Sequence, residues 1–560
     1  MKNPTPAQVK VRDHESLSLL LVAPAGCGKT EALAIRIASL IENGQIASPQ
    51  RILATTFTNK AKDNIQNRLR DYVTYSARRD HVTVMNYHGL AARLVRAHGA
   101  IIGVDPTIQL PESDWVTDRC LELGLGYAGR DTVNVILNEL KRQPLDDAAI
   151  AAALAENGHP WAIQIEEERV AANRSTYDDL LRYAELILAN DAVASLYRCH
   201  FGAIIVDEYQ DLTPQQLRVL QRLGAGNITF AGDLAQGIYG FTGARPHEID
   251  ATIRPLCDEV IMFNESHRSS PAVLSMVNAM STLTGGENLV CADPESWPGS
   301  GLAGRLTFPH AVKEAEWVSK AAQTILAGVP NHRVAVTSRI KSRLRFIDQH
   351  LEDTGIEMHR WEDGVLDTET AAIVRSTLTR LNLADLDAAH DKLTFLRDVA
   401  GIAQVEEPDT RKSLADALNW ILERLGDGLS PAEVAGRIRV GDQTTLLNAP
   451  GIHLLSGHVG KGQQFDWVFI LGAEDDNIPF FRATTSAEVE EEARILGVML
   501  SRARHGVVVT HSEVVPTVSG SNRNRDRSRF WPYLDAARPR DREGIVEWVK
   551  VAPWNSLRDK

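Results

Sequence analysis

Apolar residues gather in short runs that alternate with helix-period stretches over two parts of the chain, residues 17 to 100 and 200 to 262. The runs LSLLLVAP, RILATTF, HVTVMN, GAIIVDE and NITFAGD are apolar almost throughout. A strand in a parallel sheet is buried on both faces, so it shows such runs rather than an alternating pattern. A second set follows with RVAVTSR at 333 to 339 and GIHLLSG, WVFILGA and GVVVTHS between 451 and 512. Both sets predict α/β layers of parallel strands flanked by helices. Between them, residues 101 to 200 and 356 to 448 are rich in Ala, Leu, Asp and Arg with few strand signals, as expected of helical insertions.

With 560 residues, a single core is too small a plan, and three or four domains are expected. The hydrophobic share of 44% and charged share of 24% are those of an ordinary globular chain, which excludes wholesale disorder. A net charge of -13 argues against a protein that coats duplex DNA through a wide basic face, although a confined groove remains compatible. The N-terminal residues lack a signal-peptide pattern and no apolar run is long enough to span a bilayer, so a cytoplasmic protein with no membrane partner is expected. Cys27, Cys120, Cys199, Cys257 and Cys291 show no CxxC spacing, which speaks against zinc, an iron–sulfur cluster or disulfides. The Ser/Arg-rich stretch SGSNRNRDRSRF reads as a surface loop or linker.

The candidate chemistry starts with VAPAGCGKTEALAIRI, an apolar strand, a Gly-containing loop and an amphipathic helix. It fits the P-loop pattern except that Ala23 stands at the first glycine. Ala25, Gly26, Cys27, Gly28, Lys29, Thr30 and Glu31 form the loop and first helical turn. Backbone N–H groups from Gly26 to Thr30 can cradle a phosphate where the helix dipole favours an anion, Lys29 can reach the β- and γ-phosphates, and Thr30 can hold Mg²⁺. In GAIIVDEYQD a strand ends in Asp207 and Glu208. There Asp207 suits the metal and Glu208 the base that orients an attacking water, so ATP and Mg²⁺ are the expected nucleotide and ion.

From DEYQD and AGDLAQGIYGFTGA onward the chain resembles superfamily 1 helicases of the UvrD/Rep/PcrA type, with motifs in matching order over nearly its whole length. The resemblance implies two RecA-like motor domains, residues 1–100 plus 176–262 and 263–355 plus 449–545, carrying insertions at 101–175 and 356–448 and a tail at 546–560. It implies that Gln8 reads adenine, that Gln236 senses the γ-phosphate, and that Arg268 and Arg502 reach the nucleotide from the second domain, beside His267, Gly462 and Gln464. Phe57, Thr58, Asn59, His88, Tyr239, Phe241 and His458 would meet single-stranded DNA, where flat side chains offer about 1–3 kcal/mol of stacking per base without reading sequence.

Three positions depart from the family pattern. Thr242 replaces an arginine, His267 a tyrosine and Gln464 a glutamate. The second insertion is also short for the family. The expected activity is ATP-dependent translocation on single-stranded DNA, in the 3′ to 5′ direction, with unwinding at single-strand/duplex junctions in repair, recombination or phage defence. The alternative is a DNA-sensing regulatory ATPase that gates a partner nuclease without processive unwinding. No nuclease cluster is evident in the sequence, so cleavage or repair would involve a partner protein.

Overall fold

The computed structural model describes residues 4–57, 59–105, 107–111, 115–361, 365–366, 368–405, 408–426, 429–440, 449–458, 461–517 and 520–558. Two six-stranded parallel sheets organise these residues, as the apolar runs predict. The first comprises β1 (Leu19–Val22), β2 (Arg51–Thr56), β3 (Val82–Asn86), β4 (Phe201–Asp207), β5 (Ile228–Gly232) and β6 (Glu259–Met262). Their order is β3-β2-β4-β5-β1-β6. The second comprises β7 (Leu302–Phe308), β8 (Arg333–Ser338), β9 (Met358–Arg360), β10 (Gly451–Ser456), β11 (Phe465–Ile470) and β12 (Ala503–Ser512), in the order β9-β10-β8-β11-β12-β7.

Successive side chains of a strand point to opposite faces, so a strand apolar at every position must feed two cores. It does so here. Leu20, Val22, Leu53, Ile204 and Val206 enter one cluster, while Leu19, Leu21, Ile52, Ala54 and Ile205 enter another on the opposite face. At about 1.5–3 kcal/mol for each fully buried Leu, Ile or Val, this double burial fixes the sheet's register.

Parallel pairing also sets where the motifs fall. Because β1 to β5 run the same way, the segments after Val22, Thr56, Asn86, Asp207 and Gly232 emerge along one sheet edge, the crevice where open α/β sheets bind ligands. In the second lobe, Gln464 and Arg502 immediately precede β11 and β12.

Each helical stretch has its own core. In the first, Cys120, Val133, Leu137, Ile150 and Ile165 come together from the helices Trp115–Glu122, Tyr127–Lys141, Asp147–Asn157 and Pro160–Ala171. In the second, Val374, Leu396, Leu414, Leu418 and Val434 do the same. The strands β6, β7 and β9 were not among the sequence expectations. All three are edge strands: β6 is only partly buried and exposes Met262, β9 is three residues long and carries His359 and Arg360, and β7 contains Gly304 and Arg305, so none gives a strong strand signal. Part of the Ser/Arg-rich stretch is also not a loop: Asn522–Asn524 pairs antiparallel with Val514–Pro516, and Arg529 pairs with Asp475 at 3.3 Å. Among the described residues no helix is long and apolar enough to cross a membrane.

Candidate functional site

The loop after β1 turns through two glycines in the left-handed region, Gly26 at φ +87° and Gly28 at φ +81°. Neither tolerates a side chain. A Cβ on Gly26 would stand 2.6 Å from Arg268 Cβ, and one on Gly28 would stand 2.7 Å from Gln8 Nε2. The helix Lys29–Glu42 begins at Gly28 without a side-chain cap, which leaves its first-turn N–H groups to a ligand. Cys27 contributes backbone alone. Its side chain lies in the core, and burial pushes the thiol up to about 12. Gln8 is spent largely on its own surroundings, since its Oε1 accepts from Thr5 N at 2.9 Å and its Nε2 donates to Gly28 O at 3.3 Å, at the rim of the cavity.

Lys29 reaches back to the end of β4, with its ammonium 2.5 Å from Glu208 and 3.2 Å from Asp207. Burial alone would lower the lysine, but the two carboxylates outweigh it and hold it above its ordinary value. Burial would likewise raise Glu208, yet Lys29 and then Lys461 bring it down to about 2, so it is ionised at neutral pH. Glu208 sits at φ 58°, a left-handed conformation that costs a non-glycine residue roughly 1–2 kcal/mol. Strain of that kind collects at functional positions. Gln210 steadies the same carboxylate at 2.6 Å, and Gln236 donates to Asp233 at 2.9 Å.

From the second lobe, the His267 N–H donates to Gly26 O at 3.1 Å. Arg268 follows directly, and with the Gln464 amide oxygen turned toward it, that oxygen accepts from Nε at 3.3 Å and Nη2 at 3.1 Å. Arg502 approaches Gln236 Oε1 and Gln463 O, each at 3.4 Å. Burial lowers Arg268 to about 10, and burial together with Arg268 lowers Arg502 to about 9; both keep their charge at neutral pH. One cavity of about 510 Å³ collects Gln8, Gly26, Lys29, Thr30, Glu31, Asp207 and Glu208 from the first lobe with His267, Arg268, Gly462, Gln464 and Arg502 from the second. The Thr30 hydroxyl and the Asp207 carboxylate are both hard oxygen donors at its wall, the chemistry that Mg²⁺ requires.

Two site residues were missed by sequence reasoning. Lys461 Nζ meets the Asp211 carboxylate oxygens at 2.7 and 2.6 Å and Gln236 O at 2.7 Å, and it stands 4.5 Å from the centre of the Tyr239 ring. Burial raises Asp211 to about 6, with Lys461 opposing. The last acid of DEYQD and the lysine three residues after His458 were the available signals, and nothing in the sequence joins them.

The aromatic candidates form a continuous path. Phe57 stacks on Tyr239 at 5.2 Å, Tyr239 meets Phe241 edge-on at 5.9 Å, and Phe241 meets His458 edge-on at 5.6 Å. Phe241 is 72% exposed, unusual for a phenylalanine that serves only packing. Burial, with Arg339 and Lys461, takes His458 down to about 4, leaving a neutral ring. His88 lies apart from this path, edge-on to Tyr177 at 4.9 Å, in a second cleft of about 250 Å³ that Phe57 also lines. Thr58 and the side chain of Asn59 lie outside the described residues.

Among the described residues, one group has metal-ligand proximity: His332, Asp466 and His505. The geometry favours packing there. His332 Nε2 faces Leu557 O at 2.9 Å and its Nδ1 accepts from Trp467 at 3.1 Å, while Asp466 accepts from Arg333 N and Arg504.

Comparison with known proteins agrees with this arrangement. The family model for the UvrD/REP helicase N-terminal domain matches residues 5–255, and that for the UvrD-like helicase C-terminal domain matches residues 373–513. The ATP-dependent DNA helicase UvrD2 of Mycobacterium tuberculosis is 29% identical over 562 residues, covering 91% of this chain and 78% of that protein. The ATP-dependent DNA helicase UvrD1 of the same organism is 25% identical over 686 residues, covering 98% and 86%. The ATP-dependent DNA helicase PcrA of Leuconostoc citreum is 28% identical over 311 residues, 53% of this chain and 41% of that protein. With two parallel sheets, a P-loop facing arginines across a shared cavity, and matches to both halves of one family, the chain belongs to the UvrD/Rep helicases.

Proposed function

We propose that this chain is an ATP-driven motor that moves 3′ to 5′ along single-stranded DNA and separates strands at single-strand/duplex junctions. The carrying observation is that Lys29, Asp207 and Glu208 of one lobe and Arg268 and Arg502 of the other line a single cavity, to which Tyr239 joins the aromatic path. The relatives described above are ATP-dependent DNA helicases, which agrees with this reading. In it the motor domains span 1–100 plus 176–262 and 263–355 plus 449–545, the insertions 101–175 and 356–448, and the tail 546–560.

The chemistry assigns each group a task. Backbone N–H groups from Gly26 to Thr30 and the Lys29 ammonium hold the β- and γ-phosphates of ATP. Thr30 and Asp207 would hold Mg²⁺, which would offset phosphate charge. Glu208, ionised, orients the attacking water and accepts its proton, and Gln236 senses the γ-phosphate. Arg268 and Arg502 stabilise charge that spreads as the phosphoryl group transfers, an effect of about 10³–10⁵ in rate for arginine fingers generally.

Those arginines reach the γ-phosphate only when the lobes are closed. ATP binding therefore favours closure, and hydrolysis removes the contact that held it. The Tyr239 ring and the Lys461 ammonium pass that change to the path of rings, whose bases shift one lobe at a time. The same proposal includes a role in DNA repair, recombination or phage defence and a cytoplasmic location.

The deciding experiment measures ATP hydrolysis with and without single-stranded DNA, together with unwinding of duplexes carrying a 3′ or a 5′ tail. Stimulated hydrolysis with unwinding of the 3′-tailed duplex is expected. Stimulation with unwinding of neither duplex would favour a DNA-sensing ATPase that gates a partner.

A further inference from the structure

The helix Tyr127–Lys141 of the first insertion ends with its backbone tied to the first sheet's helical layer. Gln215 Nε2 donates to Lys141 O at 3.1 Å, and Arg218 Nη2 donates to Arg142 O at 2.8 Å. With its main chain held in this way, Arg142 aims its side chain at the loop that carries the aromatic path, and its Nη2 donates to Thr242 O at 3.2 Å. Gly243 follows at φ +95°, and a Cβ there would stand 2.7 Å from Arg142 Cζ, so the loop keeps a glycine where the guanidinium lies against it. The half-buried arginine shares the second cleft with Phe57, His88, Tyr177 and Thr242. Across that cleft, Lys412 of the second insertion stands 5.6 Å from the centre of the Tyr177 ring. Asp178, the carboxyl in the same cleft, is raised by burial and pulled back by Arg142 and Lys141.

Two facts converge on this arginine. Position 242, in the loop that carries the aromatic path, is a threonine that brings no charge to the loop. A guanidinium nevertheless lies on that loop, delivered from the first insertion 100 residues earlier in sequence. A guanidinium carries five N–H donors in a planar fork, and the carbonyl of Thr242 takes only part of that capacity. The remaining donors face a cleft lined by rings, the pairing of stacking platform with cation that single-strand sites use for base and backbone.

We infer that Arg142 grips a backbone phosphate of single-stranded DNA and supplies from the first insertion the charge that Thr242 does not, an assignment that rests on the motor reading above. Lys412 supplies a second cation on the far wall, so both insertions hold the strand. Arg142 is thereby a strand-contacting residue outside the motor domains proper.

The test is equilibrium binding of a fluorescein-labelled oligothymidylate to the full chain, by anisotropy, at several salt concentrations. Arg142→Gln keeps a donor for Thr242 O and removes the charge. Its affinity is expected to fall about tenfold, as for one charge-assisted hydrogen bond, and the slope of log affinity against log salt to fall by about 0.7, as for one single-strand phosphate. Adding Thr242→Arg to Arg142→Gln should restore most of both. Should Arg142 serve packing alone, Arg142→Gln would melt earlier while keeping its salt slope, and Thr242→Arg would recover nothing; that result overturns the inference. Tight binding by the unaltered chain with Arg142→Gln equal to it overturns the inference and leaves the motor reading standing. An unaltered chain that binds no oligothymidylate overturns both.

Discussion

The Lys461 ammonium is held between the two carboxylate oxygens of Asp211, at 2.7 and 2.6 Å, so a cation of the second lobe is seated in the last acid of the first lobe's DEYQD. The same ammonium lies over Tyr239 and bonds Gln236 O, which places it on the wall of the cavity that Lys29 lines, next to the aromatic path. Replacing it leaves Asp211 buried without its ion pair, a loss of about 3–5 kcal/mol for such pairs. Lys461→Met should therefore cut the stimulation of ATP hydrolysis by single-stranded DNA about tenfold or more, since each 1.4 kcal/mol is a factor of ten. The ratio of rates with and without oligothymidylate measures it, and an unchanged ratio would mean that coupling runs through other contacts.

Acid should weaken the same contact. Asp211 sits at about 6 in the folded chain because burial raises it, Lys461 notwithstanding, against an ordinary value of about 3.9. The folded chain thus binds this proton more readily than the unfolded one. Its charged form opposes folding at neutral pH, and that opposition is relieved as the pH falls through about 6. The ion pair across the lobes disappears in the same step. Lobe closure, followed by a donor and acceptor fluorophore on the two sheets, should decline with a midpoint near 6, and Asp211→Asn should abolish that midpoint.

Gly26 is expected to tolerate no substitution. Alanine there meets the left-handed backbone penalty of roughly 1–2 kcal/mol and also clashes with Arg268, whose Cβ would lie 2.6 Å away. The clash falls on the contact between the lobes, so Gly26→Ala should lose ATP hydrolysis far more than thermal stability. Comparing turnover with the melting temperature separates the two, and a variant that melts far lower would instead point to a failed fold.

Much of this site could be read from the chain because its parts are contiguous. The runs at Leu19–Val22 and 201–206 carry no polar side chain, so burial on both faces and the motif at each strand end follow together. What resisted reading was pairing between distant segments. Lys461 and Asp211 lie 250 residues apart, and neither is unusual where it stands. Arg142 reads as an ordinary charge at a helix end until the helix is docked. Edge strands such as Glu259–Met262 escape for the opposite reason, since only part of their surface is buried and the apolar signal weakens.

The first insertion is anchored by a buried charge cluster. Asp179 accepts from Lys141 at 3.0 Å and Arg182 at 2.8 Å, with Arg169 at 3.3 Å, and it also closes a capping box with Thr176. Burial would raise this carboxyl, but the three cations outweigh it and hold it well below the usual range. Asp179→Asn leaves them undercompensated in the interior and should destabilise the chain by about 3–5 kcal/mol. Urea unfolding would report the shift. A loss below about 1 kcal/mol, the range of exposed pairs, would mean that water reaches the cluster.

Arg502 is expected to matter for turnover more than for binding. It is buried, lies beside Gln236 Oε1 and keeps its charge although burial and Arg268 lower it to about 9. In the proposed mechanism this guanidinium would meet charge that develops on the γ-phosphate oxygens, whereas the ground-state triphosphate would already be held by Lys29 and the loop amides. Arg502→Ala should therefore lower kcat about 10³-fold with a much smaller rise in the KM for ATP. Arg502→Lys keeps a cation but not the planar fork, and with Arg268 close by its shorter ammonium would be further disfavoured, so it should recover only a small part of the loss. Steady-state hydrolysis at saturating oligothymidylate measures both variants. A rise in KM matching the fall in kcat/KM, with kcat unchanged, would make Arg502 a binding residue and remove the transition-state role assigned to it.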